Sequence, residues 1–570
     1  MSKKVADVIL EVLMEAGARR CYGVAGDTLN YFTDAVRRSE LRWIHVRHEE
    51  AGAMAAGADA LLTGELALCA GSCGPGGLHF INGVWESNRN RAPVVLIASQ
   101  IVRDELGFDF PQEVDFKSVY SKGTVFCEEI RTPAQARRMT AMAAQAALSR
   151  KGVAVLIVPA DVSHAPAPDE PHFLVHQAAP VIHPSETELE RIAEALNAGD
   201  KIAIYGGSGC AHAHDQVIAL AERLKAPVAR TSRAKDFLEH DNPYDVGMTG
   251  VFGSKGGYNA LLQCDTLLLL GCDFAWRQFY PSHSKIIQID IDGAHLGRRH
   301  PVDIAAVGDI GPTLDALLPK IKPRTDRAFL DGALAETAEA KKVLEERAVA
   351  GDGPIHPQYL VETIAAQATP DAVYTADGGS PMVWCLRHVP STGQNRTLTS
   401  LSHGTMANAM PQALGVQAAY PGRQVISLSG DGGLAMLLGD LLTTVQEKLP
   451  IKVCVFNNGS LGFVELEQKV EGLLDAFTDL HNPDFSRVAE AIGLWGRRVE
   501  KPGDLKQAVE AWLAAPGPAL LDVVVSRNEL VMPPKIEASQ VLGTMLYSAK
   551  AILAGRAGDV VDLVKHAIEP

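Results

Sequence analysis

The chain has 570 residues, of which 47% are hydrophobic and 21% charged, and a formal net charge of −15. This composition excludes a fibrous or fully disordered chain, and the acidic balance offers no general attraction for nucleic acid or anionic lipid. At roughly 150 residues per domain, the length predicts about three or four domains. The nine scattered cysteines fit free thiols in a reducing cytoplasm better than a disulfide framework. No uncharged apolar run approaches the roughly 20 residues that a bilayer span needs, so no spanning helix is expected.

In chain order, Val/Ile/Leu-rich runs recur at Leu66–Ala70, Val94–Ala98, Val153–Val158, Ile202–Tyr205, Thr266–Leu270, Ile286–Ile291, Val425–Leu428, Ile451–Phe456 and Leu520–Val525. Runs without polar alternation predict strands covered on both faces, as in parallel sheets. Ala134–Leu148, Glu186–Ala198 and Thr443–Lys448 have the pattern of crossover helices. Ser163–Pro184, with five prolines, and the breaks at Leu318–Arg327 and Ala350–Pro357 punctuate the chain. The expected fold class is α/β: three doubly wound parallel-sheet domains at 1–180, 181–340 and 350–530, then a short helical tail at 531–570.

The strand at Val425–Ser429 runs into Gly430-Asp431-Gly432-Gly433, and that at Ile451–Phe456 ends at Asn457-Asn458. In a parallel sheet both clusters sit at carboxyl strand ends, where such folds bind ligands. Asp and Asn oxygens are hard donors suited to Mg²⁺ or Ca²⁺, and glycine lets a diphosphate approach the backbone. Gly-Asp-Gly alone also describes a common turn, but the second cluster at another strand end tips the balance toward a ligand. In the first block, Arg47-His48-Glu49-Glu50 ends a strand-like segment and opens the Ala-rich stretch Ala51–Leu62. Standing alone, Glu49 would be an ordinary acid at a helix N-terminus. The middle block carries Gly206-Gly207-Ser208-Gly209, Thr249-Gly250, Asp273-Phe274, Arg277, Asp290 and Asp309, several of them just after apolar strands. Glycines for close approach, an arginine for phosphate and carboxylates for ribose make a candidate dinucleotide site.

The Gly430-Asp431-Gly432 and Asn457-Asn458 pattern resembles the diphosphate–metal motif of thiamine diphosphate enzymes. Nearly the whole chain is similar to the pyruvate oxidase, or quinone-linked pyruvate dehydrogenase, family within the acetolactate synthase-like superfamily. His48-Glu49-Glu50, Cys69–Gly76, Asp241–Gly250 and Met406–Gly415 carry that similarity. The resemblance implies a pyrimidine-binding, a central FAD-binding and a diphosphate-binding domain, with thiamine diphosphate, Mg²⁺ and FAD as cofactors. It implies Asp431, the Asn458 side chain and the Ser460 carbonyl as Mg²⁺ ligands, with Gly430, Gly432, Gly433 and Asn457 beside the diphosphate. It makes Glu49 the partner of the aminopyrimidine N1′, a role that asks for a carboxyl in an apolar setting.

Gly26, Gly74 and Asn82 match loops over the pyrimidine, and Gly379, Ser380, His403, Thr405 and Met406 match cofactor-lining positions. Gly207, Ser208, Gly209, Thr249, Gly250, Asp273, Phe274, Arg277, Asp290 and Asp309 become the flavin set. Gln112, Phe463 and Glu467 fall at substrate-pocket positions, while Pro111 and Gly378 depart from the family pattern and predict a reshaped pocket. The implied function is oxidative decarboxylation of pyruvate, or a related 2-oxo acid, to acetate and CO₂ with electrons passed to a quinone. The alternative is a carboligating transferase of the acetolactate synthase type with a structural FAD. That branch places a Trp after the Asn-Asn segment, and Leu461–Glu467 has none. Implied partners are the 2-oxo acid, a quinone and further copies of the chain, as a homodimer core doubled to a homotetramer. In the tail, Val560, Val561, Val564 and Ile568 form one helical stripe that either docks on its own subunit or touches a membrane. The expected location is cytoplasmic, with peripheral contact at the inner membrane through that tail.

Overall fold

The computed structural model describes residues 3–527, 529 and 538–553. Three six-stranded sheets, each wholly parallel, follow one another along the chain. The first contains β1 (Arg20–Gly23), β2 (Arg42–His45), β3 (Ala67–Gly71), β4 (Val94–Gln100), β5 (Phe126–Glu129) and β6 (Val153–Pro159). The second contains β7 (Ile202–Gly206), β8 (Val228–Arg230), β9 (Asp245–Met248), β10 (Thr266–Leu270), β11 (Lys285–Asp290) and β12 (Ile304–Val307). The third contains β13 (Val373–Ala376), β14 (Arg396–Thr399), β15 (Val425–Gly430), β16 (Lys452–Asn457), β17 (Trp495–Val499) and β18 (Ala519–Val524).

All nine apolar runs lie in strands, displaced by at most one residue at their starts. Every residue of β4 and β6 is buried, as expected for strands covered by helices on both faces. The first sheet has the order β2-β1-β3-β4-β6-β5 and the third the order β14-β13-β15-β16-β18-β17, the same permutation. The middle sheet runs β12-β11-β10-β7-β8-β9, the doubly wound order in which the chain reverses between β7 and β10. Open sheets of this kind bind ligands outside the carboxyl ends at the reversal point. Those points are β1/β3, β7/β10 and β13/β15.

The first and third sheets share a core. Ala51, Phe80, Leu96 and Val155 pack in one apolar cluster with Ala413, Val425, Val453 and Leu520. The contact runs through the helices Glu49–Thr63 and Ala409–Ala419, so close that a Cβ at Gly415 would lie 1.9 Å from the Ala55 carbonyl oxygen. Tyr22 Oη donates to the buried Asp59 at 2.8 Å, and lies 3.4 Å from the Gly415 carbonyl oxygen. The middle sheet keeps clusters of its own.

The proline-rich stretch after Ala165 is irregular until the helix Glu186–Ala198 begins, and the long helix Ala328–Arg347 leads toward the third sheet. The nine cysteines are all buried and unpaired. No described helix is long and apolar enough to cross a membrane. The stripe Val560, Val561, Val564 and Ile568 lies outside the described residues. The helix Ala538–Leu553 before it packs on the helix Gly462–Val470, with Lys550 Nζ donating to the Gly472 carbonyl at 2.7 Å.

Candidate active site

Asp377 follows β13 at the reversal point of the third sheet. Its buried carboxylate accepts from Gly430 N at 3.0 Å and Ala409 N at 2.8 Å, tying the end of β15 to the helix Ala409–Ala419. A side chain at Gly433 would meet that carboxylate at 2.3 Å, so glycine is required there. At Gly378 the space for a side chain is taken by the Thr405 carbonyl oxygen, 2.2 Å from a would-be Cβ. The missing side chain there draws the 404–406 segment in; it does not open room.

Burial pushes the Asp377 carboxyl up to about 7, against the pull of the backbone N–H donors. A raised folded-state value means that the group's contribution to stability is complete below its unfolded value near 4. That contribution is lost as pH rises through about 7. At about 1.4 kcal/mol per pH unit, the loss is at most about 4 kcal/mol. Asp377→Asn should therefore gain stability relative to the wild type between pH 4 and 7, which urea unfolding across that range will measure. A stability difference independent of pH would refute the assignment.

Asp431 begins the short helix Asp431–Met436 after β15. Its Oδ1 accepts from Gly432 N at 2.8 Å, and its Oδ2 from Gly459 N at 2.7 Å and Asn482 Nδ2 at 2.8 Å. Gly459, at φ 66°, turns the chain between Asn458 and Ser460, and Asn458 Oδ1 accepts from Ser460 N at 3.1 Å. Asp431, Asn458 and Ser460 thus share one turn. Burial raises the Asp431 carboxyl, while these donors draw it back. Two supports went unread in the sequence. Asn482 bridges Asp431 and Asn457, whose Nδ2 in turn donates to the buried Asp522 at 3.0 Å. Glu465 accepts the Ser460 hydroxyl and is itself held by Lys469 and Arg527.

One carboxylate with amide and carbonyl oxygens is a hard donor set that fits Mg²⁺. Among the described residues no group of three or more His, Cys, Asp or Glu could hold a metal. An ion here would need further oxygen ligands as well. Gly432 faces the Met406 methyl, which would lie 3.3 Å from a Cβ, together with Leu461 and Leu480. Gly379 has φ 143° and precedes Ser380, the first residue of the helix Ser380–His388. Ser380, Trp384, Asn458, Phe463 and Leu466 line one small cavity beside the Asp431 turn. Glu467 is exposed on the same helix as Phe463.

In the first domain, Glu49 is the first residue of its helix, and His48 Nδ1 caps that helix by accepting Glu50 N at 3.2 Å. Asp440, from the third domain, accepts Arg47 N and His48 N at 2.7 and 3.1 Å and so orients this turn. Glu49 Oε2 lies 2.8 Å from His79 Nδ1, a partner with no signal in the sequence motifs. Asn82 Nδ2 donates to Glu50 and to Thr405, while its Oδ1 meets His403 Nε2 at 2.8 Å, so three expected cofactor residues form one patch. Gly26 packs against Ser72 across β1/β3, where a Cβ would meet the Ser72 side chain at 2.4 Å. Gln112, at φ 69°, folds over Gly74 and accepts the Cys73 thiol at 3.2 Å. Within one chain, Asn82 joins the Glu49 helix to Thr405 and His403 of the third domain, and Met406 beside them lies against Gly432.

The middle-domain set gathers at the carboxyl end of its sheet. Gly207 and Gly209 are needed because a Cβ would meet Gly271 backbone at 2.1 and 2.6 Å, which closes the β7/β10 reversal. Ser208 opens the turn between them. Thr249 has a buried hydroxyl without a partner, and Gly250, at φ 112°, faces the Phe274 ring. An orphaned hydroxyl beside a glycine under an aromatic ring fits a ligand. Other members are engaged within the domain: Asp273 with Arg298 and Arg299, Arg277 with the Arg299 carbonyl, Asp290 with His295, and Asp309 with Ile182 N.

Three family profiles match in sequence. They are the N-terminal thiamine pyrophosphate-binding domain of thiamine pyrophosphate enzymes over residues 3–119, their central domain over 189–317, and their C-terminal thiamine pyrophosphate-binding domain over 377–523. The chain is 32% identical over 570 residues to the Bacillus subtilis protein named "Putative thiamine pyrophosphate-containing protein YdaP", covering 99% of this chain and 98% of that one. It is 31% identical over 539 residues to the pyruvate oxidase of Lactiplantibacillus plantarum, covering 93% and 89% of the two chains. It is 29% identical over 565 residues to the acetolactate synthase large subunit of Parasynechococcus marenigrum, covering 94% and 90%.

Proposed function

The chain belongs to the thiamine pyrophosphate enzyme family, and on that premise we propose that it oxidatively decarboxylates pyruvate or a related 2-oxo acid, using FAD and passing electrons to a quinone. Bound thiamine diphosphate supplies a nucleophilic carbon and an electron sink for decarboxylation, and FAD a two-electron acceptor. Asp431, Asn458 and the Ser460 carbonyl would hold Mg²⁺ and through it the diphosphate, which the glycines at 430, 432 and 433 admit. Glu49 would hold a proton at the ring nitrogen N1′. Gln112 and Phe463 would orient the 2-oxo acid and keep water from it. We also place the cofactor between two copies of the chain, in a homodimer that doubles to a tetramer, the arrangement that the family resemblance implies.

The observation that carries the oxidase reading is the contact between the two candidate sites. The Phe463 ring stacks on Phe252, centroids 6.2 Å apart, and Phe252 lies just past Thr249 and Gly250 in the middle domain. Arg387, half-buried in the third domain, donates to the Phe252 carbonyl at 3.0 Å and clamps that loop in place. Electron transfer needs such closeness; carboligation does not. Full-length similarity to acetolactate synthase favours the second reading, carboligation with a structural FAD. A quinone acceptor would also bring the cytoplasmic enzyme to a membrane surface.

The purified protein should be yellow. With thiamine diphosphate, Mg²⁺ and pyruvate under anaerobic conditions, its flavin absorbance should bleach and return when a quinone is added. Bleaching only by a bulkier 2-oxo acid would keep the oxidase and change its substrate. Acetolactate formation without bleaching would establish the second reading in its place.

A further inference from the structure

Glu49 has two carboxylate oxygens and only one can face a cofactor ring nitrogen. Oε2 is taken by His79 Nδ1 at 2.8 Å, while Oε1 points along the Gly76 backbone, 3.4 Å from where a Cβ would stand. The His79 ring is itself held, stacked on His48 with centroids 4.7 Å apart and planes 20° from parallel. His48 cannot swing away, because its Nδ1 caps the Glu49 helix and its backbone N–H is bound by Asp440. His79 leaves the C-terminus of the turn Pro75–Leu78, whose Gly77 carbonyl accepts the Tyr120 hydroxyl. The imidazole is therefore a braced donor on a rigid shelf, not a loose surface side chain.

We propose that His79 is the positioning residue of this site: its Nδ1–H fixes one oxygen of Glu49 so that the other is presented to N1′. The proposal rests on Glu49 being the N1′ partner. The His79 side chain is 47% exposed where that of Glu49 is 10%, so the imidazole also joins a buried carboxyl to solvent. The other titratable groups around the pair are His48 stacked on the ring and Glu50 on the same helix. Arg47 and Asp440 lie at the preceding turn, and Tyr120 lies behind Gly77. Removing the donor leaves that carboxylate oxygen without its partner and lets the Glu49 side chain rotate.

The test uses the near-ultraviolet circular dichroism of thiamine diphosphate bound to the full-length protein with Mg²⁺, followed against pH. This signal reports the tautomer of the bound aminopyrimidine and needs no turnover. His79→Ala should move the midpoint of the transition up by about one pH unit, with affinity for the cofactor changed less than about threefold. His79→Asn, whose amide Nδ2 can stand where Nδ1 stands but does not titrate, should restore the wild-type midpoint. Should the alanine variant fail to fold, His79→Gln, whose amide reaches the wrong position, takes its place. An alanine or glutamine variant that titrates like the wild type would overturn the proposal, as would a shift that asparagine leaves uncorrected. Glu49→Gln separates the two levels of the argument. If it abolishes the transition while the His79 variants do nothing, only the role of His79 falls; if it too leaves the transition unchanged, the assignment of Glu49 falls.

Discussion

Glu49→Gln should lower turnover by about 10²- to 10⁴-fold while leaving the fold and the grip on the diphosphate intact. Glutamine keeps the length of the side chain, and its carbonyl oxygen can still accept from His79 Nδ1, so the turn between His48 and Glu50 has no reason to move. What the amide cannot do is hold a proton between itself and a ring nitrogen. The proposed diphosphate end of the site lies in a different domain, around Asp431 and the turn at Gly459, and is untouched. Steady-state kinetics and calorimetric titration with thiamine diphosphate and Mg²⁺ will separate the two effects. Turnover within threefold of the wild type would sink the catalytic role of Glu49, whatever the cofactor affinity.

A second large effect is expected far from any reacting atom. In Gly415→Ala the new methyl would sit 1.9 Å from the Ala55 carbonyl oxygen, an overlap that no rotamer relieves because both partners are helix backbone. The helices Glu49–Thr63 and Ala409–Ala419 must separate, which opens the core shared by two sheets and tilts the helix that begins with Glu49. Overpacking of side chains typically costs about 1–3 kcal/mol, and a backbone clash at a helix crossing belongs at or above the upper end. Thermal unfolding should show the loss, together with reduced activity. Gly332→Ala is the matched control. It lies in the interior of the helix Ala328–Arg347 with nothing within 4 Å of a Cβ, so it should be neutral or stabilising by up to about 1 kcal/mol. If both variants unfold alike, close helix packing is not what Gly415 provides.

What the sequence disclosed about this fold depended on burial and on strand length, for the buried interior strands β8 and β13, three and four residues long, left no run. The interior strands β4, β6, β10 and β16 are continuous apolar runs because helices cover both faces, and each was legible. Of the edge strands, β5, β9, β14 and β17 carry polar residues, and β12, Ile-Ala-Ala-Val, is short and partly exposed, so none left a comparable run; β2 was visible only as the strand-like stretch before Arg47. In the site, residues that follow an apolar strand and carry a recognisable motif could be picked out: Glu49, Asp431, Asn457 and Asn458. Their supports could not. His79, Asn482, Asp440 and Glu465 reach the site through tertiary contacts, across 30 to 393 positions for three of them, and no local pattern announces such contacts. The middle domain shows the opposite case. Gly207 and Gly209 drew attention as ligand-binding glycines, yet the backbone at Gly271 already explains why no side chain can stand there.

The core that joins the first and third sheets also sets a timetable for synthesis. The Ala-rich face of the helix Glu49–Thr63 finds its cover in the helix Ala409–Ala419, which the ribosome makes after the entire middle domain. At about 5–20 residues per second, the first domain waits on the order of tens of seconds with that face bare. The middle domain, whose clusters are its own, can close meanwhile. A nascent chain stalled after the middle domain should therefore hold a folded central unit beside a sticky, incomplete first one. Chaperone occupancy should peak before the third domain emerges.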